Sequence, residues 1–375
     1  CNYGASPLLD NVIISNNSSD NYGGGMWNDN GASPSLNNVS IVNNSAPSAN
    51  GVGGGIYCWD PATTLTLKNV TIKGNTAANN GAGIYCGYSA TLSLTNVTIT
   101  DNSSTNHGGA MYNSSGSVTI KNCTITANTA STECGGIYVD GSVTIINSIL
   151  WNSNTEDITV SGIGSVSVSY STVEGGQSSG VTGGGTINWN DGNIVNDPVF
   201  TDTTNGDFTL QSGSPAIDAG HPDLDGDGTY WFSDSDDQDP DGTRLDMGAY
   251  YFDQTTYAPG IPQNLKAVFG NQQITLTWNR NTEIDFAGYR IYSGFSASPT
   301  TLVETIPDIN DTSSVQSGLV NDARYYYRLT AVDDDGNESD YSNEVSTVPG
   351  SGEDRIIFAG YHNYDFKAYD YNTDT

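Results

Sequence analysis

The sequence predicts two all-β folds in succession, a right-handed parallel β-helix solenoid and then a β-sandwich. Three observations carry this. A seven-residue phrase recurs at a period in the middle twenties; each copy is flanked by two further apolar phrases of period two; past residue 259 the repeat gives way to longer strands at sandwich spacing.

The phrase occupies residues 11–17, 38–44, 69–75, 96–102 and 122–128, and decays at 147–152. Before it stands an alternating apolar pair (Leu65/Leu67, Leu92/Leu94, Val118/Ile120, Val143/Ile145), and after it a small-residue doublet with a short apolar run, as in Gly54-Gly55-Ile56-Tyr57. Three β-branched segments separated by Gly, Asn and Ser read as three strands and three turns per coil. Strands of one coil cannot pair side by side, so each pairs with its counterpart one coil on, giving three parallel sheets. The crossover rule makes the winding right-handed. Val and Ile rungs then line the inside, and the column Asn69/Asn96/Asn122/Asn147 is expected to form an amide ladder where strands bend.

Alternation on the third strand sends Met26, Ile56, Ile84, Met111 and Ile137 inward. Trp27, Tyr57, Tyr85, Tyr112 and Tyr138 then stand outward as a vertical aromatic stripe, which either stacks on sugar faces or packs on itself. The glycine runs 23–25 and 53–55 lack the Lys-Ser/Thr ending and helix of a phosphate cradle, so they are turn glycines. Cys58, Cys86 and Cys123 read as small buried hydrophobes, with a Cys58–Cys86 bridge as the alternative.

The repeat loosens after Val143, and residues 197–256 are expected to cap the last coil, whose open end would expose core and unpaired backbone. The phrases Asp197-Pro198-Val199-Phe200, Gly213-Ser214-Pro215-Ala216-Ile217-Asp218-Ala219-Gly220 and Arg244-Leu245-Asp246-Met247-Gly248-Ala249-Tyr250 resemble the C-terminal segment of bacterial secreted right-handed β-helix proteins. The Gly-Gly-x-Ile and Asn phrases are similar to polymorphic outer-membrane-protein repeats. The resemblance implies an extracellular or cell-surface bacterial protein.

Residues 257–349 form the second domain. Ile274-Thr275-Leu276-Thr277-Trp278, Gly288-Tyr289-Arg290-Ile291-Tyr292 and the run 325–333 resemble a fibronectin type III domain, with Trp278 as core tryptophan and Tyr325 as corner tyrosine. Such modules serve chiefly as spacers, and the acids Asp333, Asp334 and Asp335 read as a solvated turn. Residues 350–375 read as a linker and the start of another β segment, and both chain ends as cuts within a longer protein.

Eleven Lys and Arg against 42 acids give a net charge of −31, which excludes nucleic acid and anionic membranes as partners. No membrane-length apolar run occurs, and a monomer is expected. Thirteen acids sit beside Arg244 alone in residues 201–258. Within them Asp223, Asp225 and Asp227 occupy positions one, three and five of an EF-hand-type loop, with Gly228 at six permitting the sharp turn. Thr229 offers a backbone carbonyl and Asp234 falls at position twelve, or Asp236, Asp237 or Asp239 in its place. A structural calcium ion is the expected cofactor, a solvated acidic loop the alternative.

β-helices also host polysaccharide lyases and glycoside hydrolases. Residues 1–200 hold only Lys68, Lys73 and Lys121 as cationic side chains, their acids are scattered, and His107 stands alone in a turn. No catalytic residue is therefore assigned. The leading expectation is a structural or adhesion protein binding a polysaccharide or cell-surface glycan; the competing one is a polysaccharide-active enzyme whose catalytic coils are weak or lie outside this stretch.

Overall fold

The computed structural model describes residues 2–151, 153, 156–254, 258–281, 283, 286–333 and 336–350. The chain divides after Asp253 into two compact units. The expected β segment after residue 350 lies outside the described residues, as do Cys1, Asp334 and Asp335.

The first unit is a parallel β-helix. Its first sheet stacks eight parallel strands, among them Met26–Asp29, Ile56–Cys58, Ile84–Cys86, Met111–Asn113 and Ile137–Val139. Register places Ile56 on Ile84, Met111 on Ile84 and Ile137 on Met111, all fully buried. The predicted inward face is therefore observed. Gly54 shows why the doublet is small: a Cβ there would lie 2.2 Å from the Thr76 carbonyl oxygen of the next coil.

The other two predicted strands of each coil share one bent 13-stranded sheet, and in two coils they fuse into single strands, Thr64–Lys73 and Thr91–Thr100. The bend is made by Asn69 and Asn96, held at φ 55° and 54°, a left-handed conformation that asparagine tolerates better than most residues. A third sheet comprises only two-residue strands, from Ser45–Ala46 to Thr129–Ala130.

The amide ladder is not the Asn69/Asn96/Asn122/Asn147 column. Between Asn69 and its neighbours the side-chain contacts are loose and exposed, 3.3 and 3.4 Å. The buried ladder is the last asparagine of the phrase, Asn17–Asn44–Asn75–Asn102–Asn128. Each Oδ1 from Asn44 to Asn128 accepts both the backbone N–H and the side-chain amide of the preceding rung at 2.9–3.1 Å. The amides from Asn44 to Asn128 also donate to a strand carbonyl about one coil earlier in the chain, as Asn102 does to Ile72 at 2.9 Å. The first asparagine is selected for its backbone angle, which points its amide outward; the last sits inside the next corner.

Residues 197–253 do not cover the end of the solenoid but run back along its outer wall. The outward column Thr98, Thr124, Ile149, Thr172 is in register on the second sheet and buried beneath them. Ala249 N donates to Thr124 Oγ1 at 3.0 Å, Gly248 N to the Asn147 carbonyl at 2.7 Å, and Tyr250 Oη lies 3.1 Å from Thr98 Oγ1. Phe200, Phe208, Leu210, Ala216, Met247 and Phe252 close an apolar cluster over Ile149. The outward-facing apolar Ile149, in a wall column otherwise made of Thr, is thereby covered, while at the coil end Ile187 and Trp189 of the last strand Thr186–Trp189 are half-buried against the core.

The second unit is a fibronectin type III sandwich. One sheet orders Lys266–Gly270, Gln273–Thr277 and Ser313–Ser317; the other orders Thr301–Ile306, Phe286–Gly294, Tyr325–Asp333 and Val345–Thr347, all antiparallel. Trp278 packs edge-on to Tyr289 in the core. Tyr325 Oη accepts the Val320 N–H at 3.1 Å, the corner its place in the sequence predicts. Y325F is expected to cost about 1 kcal/mol by orphaning that N–H, read as a lower denaturant midpoint with unchanged slope; an unmoved midpoint would show the corner to be idle. Asp333 departs from the solvated-turn expectation: it is buried, and its carboxylate accepts the Asn337 N–H at 2.7 Å and amide at 2.8 Å.

Candidate ligand-binding surface

The outward residues of the first sheet form a column of rings. Tyr57, Tyr85, Tyr112 and Tyr138 stack at centroid separations of 5.4, 5.4 and 5.0 Å, with planes within 18° of parallel. Coils repeat at about 4.8 Å, so identical side chains on one column meet face to face and consume one another's faces.

Two members of the predicted stripe therefore differ from expectation. Tyr57 is only 6% exposed, packed under Tyr22, Trp59 and Tyr85. Trp27 is in register with Tyr57, yet its ring meets Tyr22 at 6.3 Å, and Tyr22 takes the place above Tyr57 at 4.9 Å. The ring column is buried nowhere in the solenoid core.

Four further side chains, not expected from the sequence pattern, join the column. Trp59 lies parallel to Tyr57 at 6.0 Å and to Tyr88 at 5.4 Å, widening the column into a platform. Tyr88 is 55% exposed and Tyr22 42%. Tyr88 lies in a turn and Tyr22 in an isolated bridge to Val52, so no strand alternation signals their direction. His107, read as alone, packs at 4.8 Å on Tyr138 with Glu133 at 3.8 Å. Tyr112 Oη donates to Asp140 at 2.7 Å, and burial together with that carboxylate pushes the phenol's pKa up.

A second concavity, about 330 Å³, lies between the wall and residues 238–251. Asn96, Asn122, Asp239, Asp246, Tyr250 and Tyr251 line it, and a smaller one of about 190 Å³ continues it past Asn69 and Thr98. Asp246 is buried, accepting N–H bonds from Asp218 and Phe252 at 2.7 and 2.6 Å, while Asp239 accepts from Asp246 N at 2.7 Å. Burial first, then mutual repulsion among acids, raises the carboxyl pKa of Asp239 to about 7 and of Asp246 to about 8. No lysine lines either concavity. Lys68 and Lys121 flank Thr95 on the solenoid's outer face, and Lys121 Nζ donates to the Leu224 carbonyl at 3.4 Å.

The predicted cation ligands fall into two groups. Asp223, Asp225 and Asp227 bring carboxylate oxygens within 4.8 Å of one another; Asp234 joins not these three but Asp225 and Asp237. Thr229 donates its N–H to Asp227 at 2.6 Å. Cys58, Cys86, Cys123 and Cys134 are free and buried, and desolvation raises the Cys58 thiol to about 12, so the unbridged reading holds. No helix among the described residues is long and apolar enough to cross a membrane.

Stacked parallel coils with an apolar interior and an aromatic outer face define a β-solenoid scaffold protein. The chain belongs to the right-handed beta helix region family, whose profile matches residues 2–125 and 54–219. An amylopullulanase of Thermoanaerobacter thermohydrosulfuricus is 32% identical over 153 residues, 40% of this chain and 9% of the relative. An alpha-amylase of Niallia circulans is 32% identical over 105 residues, 28% of this chain and 8% of the relative. The chain thus spans less than a tenth of the length of these relatives. Among solved structures, an Fn3-like protein from Clostridium thermocellum is 28% identical, covering 24% of this chain and 92% of its own with a TM-score of 0.21. A beta-1,2-glucanase from Parabacteroides distasonis is 24% identical, covering 25% of this chain and 14% of its own with a TM-score of 0.22.

Proposed function

We propose that the chain is a glycan-binding module of an extracellular or cell-surface bacterial protein, serving attachment to polysaccharide. The observation that carries this is the aromatic platform: Tyr88 beside Trp59 and Tyr22 over Tyr57 present large exposed rings on a wall that stacked coils and the tyrosine column hold rigid. Exposed aromatic surface of that extent is costly to leave in water and marks contact sites, and pre-ordered rings lose little entropy on binding. The amylopullulanase and alpha-amylase relatives guide the choice of probe, α-glucans.

Affinity electrophoresis in gels containing pullulan or soluble starch, set against a β-glucan gel, tests it. W59A/Y88A is expected to weaken retardation at least tenfold, while Y250A/Y251A, in the wall concavity, leaves it unchanged. Retardation by no polysaccharide, or loss only with Y250A/Y251A, would refute the platform as the contact surface.

The enzyme reading rests on Asp239 and Asp246, two acids with raised pKa in a concavity, the environment of general acids. Against it, their oxygens are held by backbone N–H groups and no cationic side chain lines the space. Incubation with the same polysaccharides is expected to release no reducing ends; release abolished by D239N would reverse the order of the two readings.

A further inference from the structure

We infer that residues 223–237 form a calcium site in which Asp225 is the shared ligand and Asp237, not Asp234 alone, closes the coordination. This goes beyond the glycan reading and does not depend on it.

Five carboxylates converge with no basic side chain paired to them among the described ion pairs. Asp223, Asp225 and Asp227 form one triad, and Asp225, Asp234 and Asp237 the other, each with oxygens within 4.8 Å of one another. That span is about twice a Ca–O distance of roughly 2.4 Å, so one ion can touch every oxygen of a triad.

An acidic loop in water would leave the same triads without a ligand. What distinguishes this one is Asp237. Its side chain is fully buried; Oδ1 accepts the Leu224 N–H at 2.6 Å, and Oδ2 is enclosed with no hydrogen bond among the described residues. A buried, half-satisfied carboxylate beside two others is costly to keep charged without a partner. A hard divalent cation ligated by oxygen removes that cost. Asp223 and Asp227 are oriented by loop N–H groups, Asp223 by Gly226 and Gly228 at 2.8 and 3.1 Å and Asp227 by Thr229, and each carboxylate keeps lone pairs for an ion. The loop is thus shaped before the ion arrives.

The site is tied to the solenoid on both sides. Lys121 Nζ holds the Leu224 carbonyl, and the His221 N–H is donated to Asn147 Oδ1. Calcium bound here joins the loop to the segment 234–237 and thereby fastens the wall-covering stretch to coils whose contact residues lie 103 and 74 positions earlier in sequence.

The test uses the full chain stripped with chelator. Terbium, a calcium mimic, is expected to give luminescence sensitised by Trp231, whose N–H is donated to the Pro222 carbonyl at 2.8 Å and whose carbonyl accepts Asp234 N at 3.3 Å. Calcium should displace it, and 1 mM calcium should raise Tm by about 5 °C or more. D225N is expected to abolish both signals and D237N to weaken calcium at least tenfold, while D236N, at an exposed neighbour, changes neither. In chelator all three variants should melt no lower than the parent, which separates lost binding from lost folding. Equal Tm with calcium and with chelator, or a D237N affinity equal to the parent's, overturns the assignment.

Discussion

Replacing Asn102 by glycine is expected to destabilise the solenoid by roughly 3–5 kcal/mol, the sum of two or three orphaned buried groups at about 1–3 kcal/mol each with some relaxation. Asn102 Oδ1 accepts both the N–H and the amide of Asn75 at 2.9 Å, and its own amide serves the carbonyls of Ile72 and Thr100 and Oδ1 of Asn128. The side chain is fully buried, so water cannot take over these bonds. The companion substitution N96G tests which asparagine column does this: glycine adopts the φ of 54° at Asn96 without strain, and the side chain it removes makes one loose contact. N96G should shift the urea midpoint by less than about 1 kcal/mol. Equal costs at the two positions would mean that the ladder contributes no more than the bend.

The second large effect is of pH. Asp157 is buried, with Oδ2 accepting Glu174 N at 3.2 Å, and desolvation, then Glu174, raise its carboxyl to about 7. Asp239 and Asp246 are raised likewise, to about 7 and 8. Unfolded, all three titrate near 3.9. The folded state therefore binds more protons than the unfolded one between about pH 4 and pH 8, and stability falls as pH rises through that window. From pH 5.5 to 8.5, in chelator and at fixed ionic strength, the loss is expected to be on the order of 3 kcal/mol or more, with Tm lower by about 10 °C. D157N should raise Tm at pH 8.5, leave it nearly unchanged at pH 5.5, and so flatten the profile. A Tm that rises with pH across this range would contradict the sign.

How far the site could be read from the chain follows the same logic residue by residue. Ile56, Ile84 and Tyr85 were legible because strand alternation fixes which way each points. Trp59 and Tyr88 were not, because Trp59 stands just past its strand end and Tyr88 in a turn, where no period holds; only the folded coils place Trp59 against Tyr57 and Tyr85 and Tyr88 against Trp59. Asp223, Asp225 and Asp227 were legible as a loop, since alternate residues of a tight turn converge locally. Asp237 was one of several candidates, and its selection required knowing which acid the chain buries.

The sequence by itself determined the solenoid, its inward rungs, its aromatic column and the sandwich that follows, since all four rest on local periodicity repeated often enough to outvote any single residue. Tertiary structure alone decided which asparagine is enclosed, which rings keep an open face, and that residues 197–253 lie along the wall rather than over the end. Those depend on contacts between coils and across a hundred or more residues, such as Thr124 with Ala249, and on burial of the apolar cluster over Ile149, which no local preference encodes.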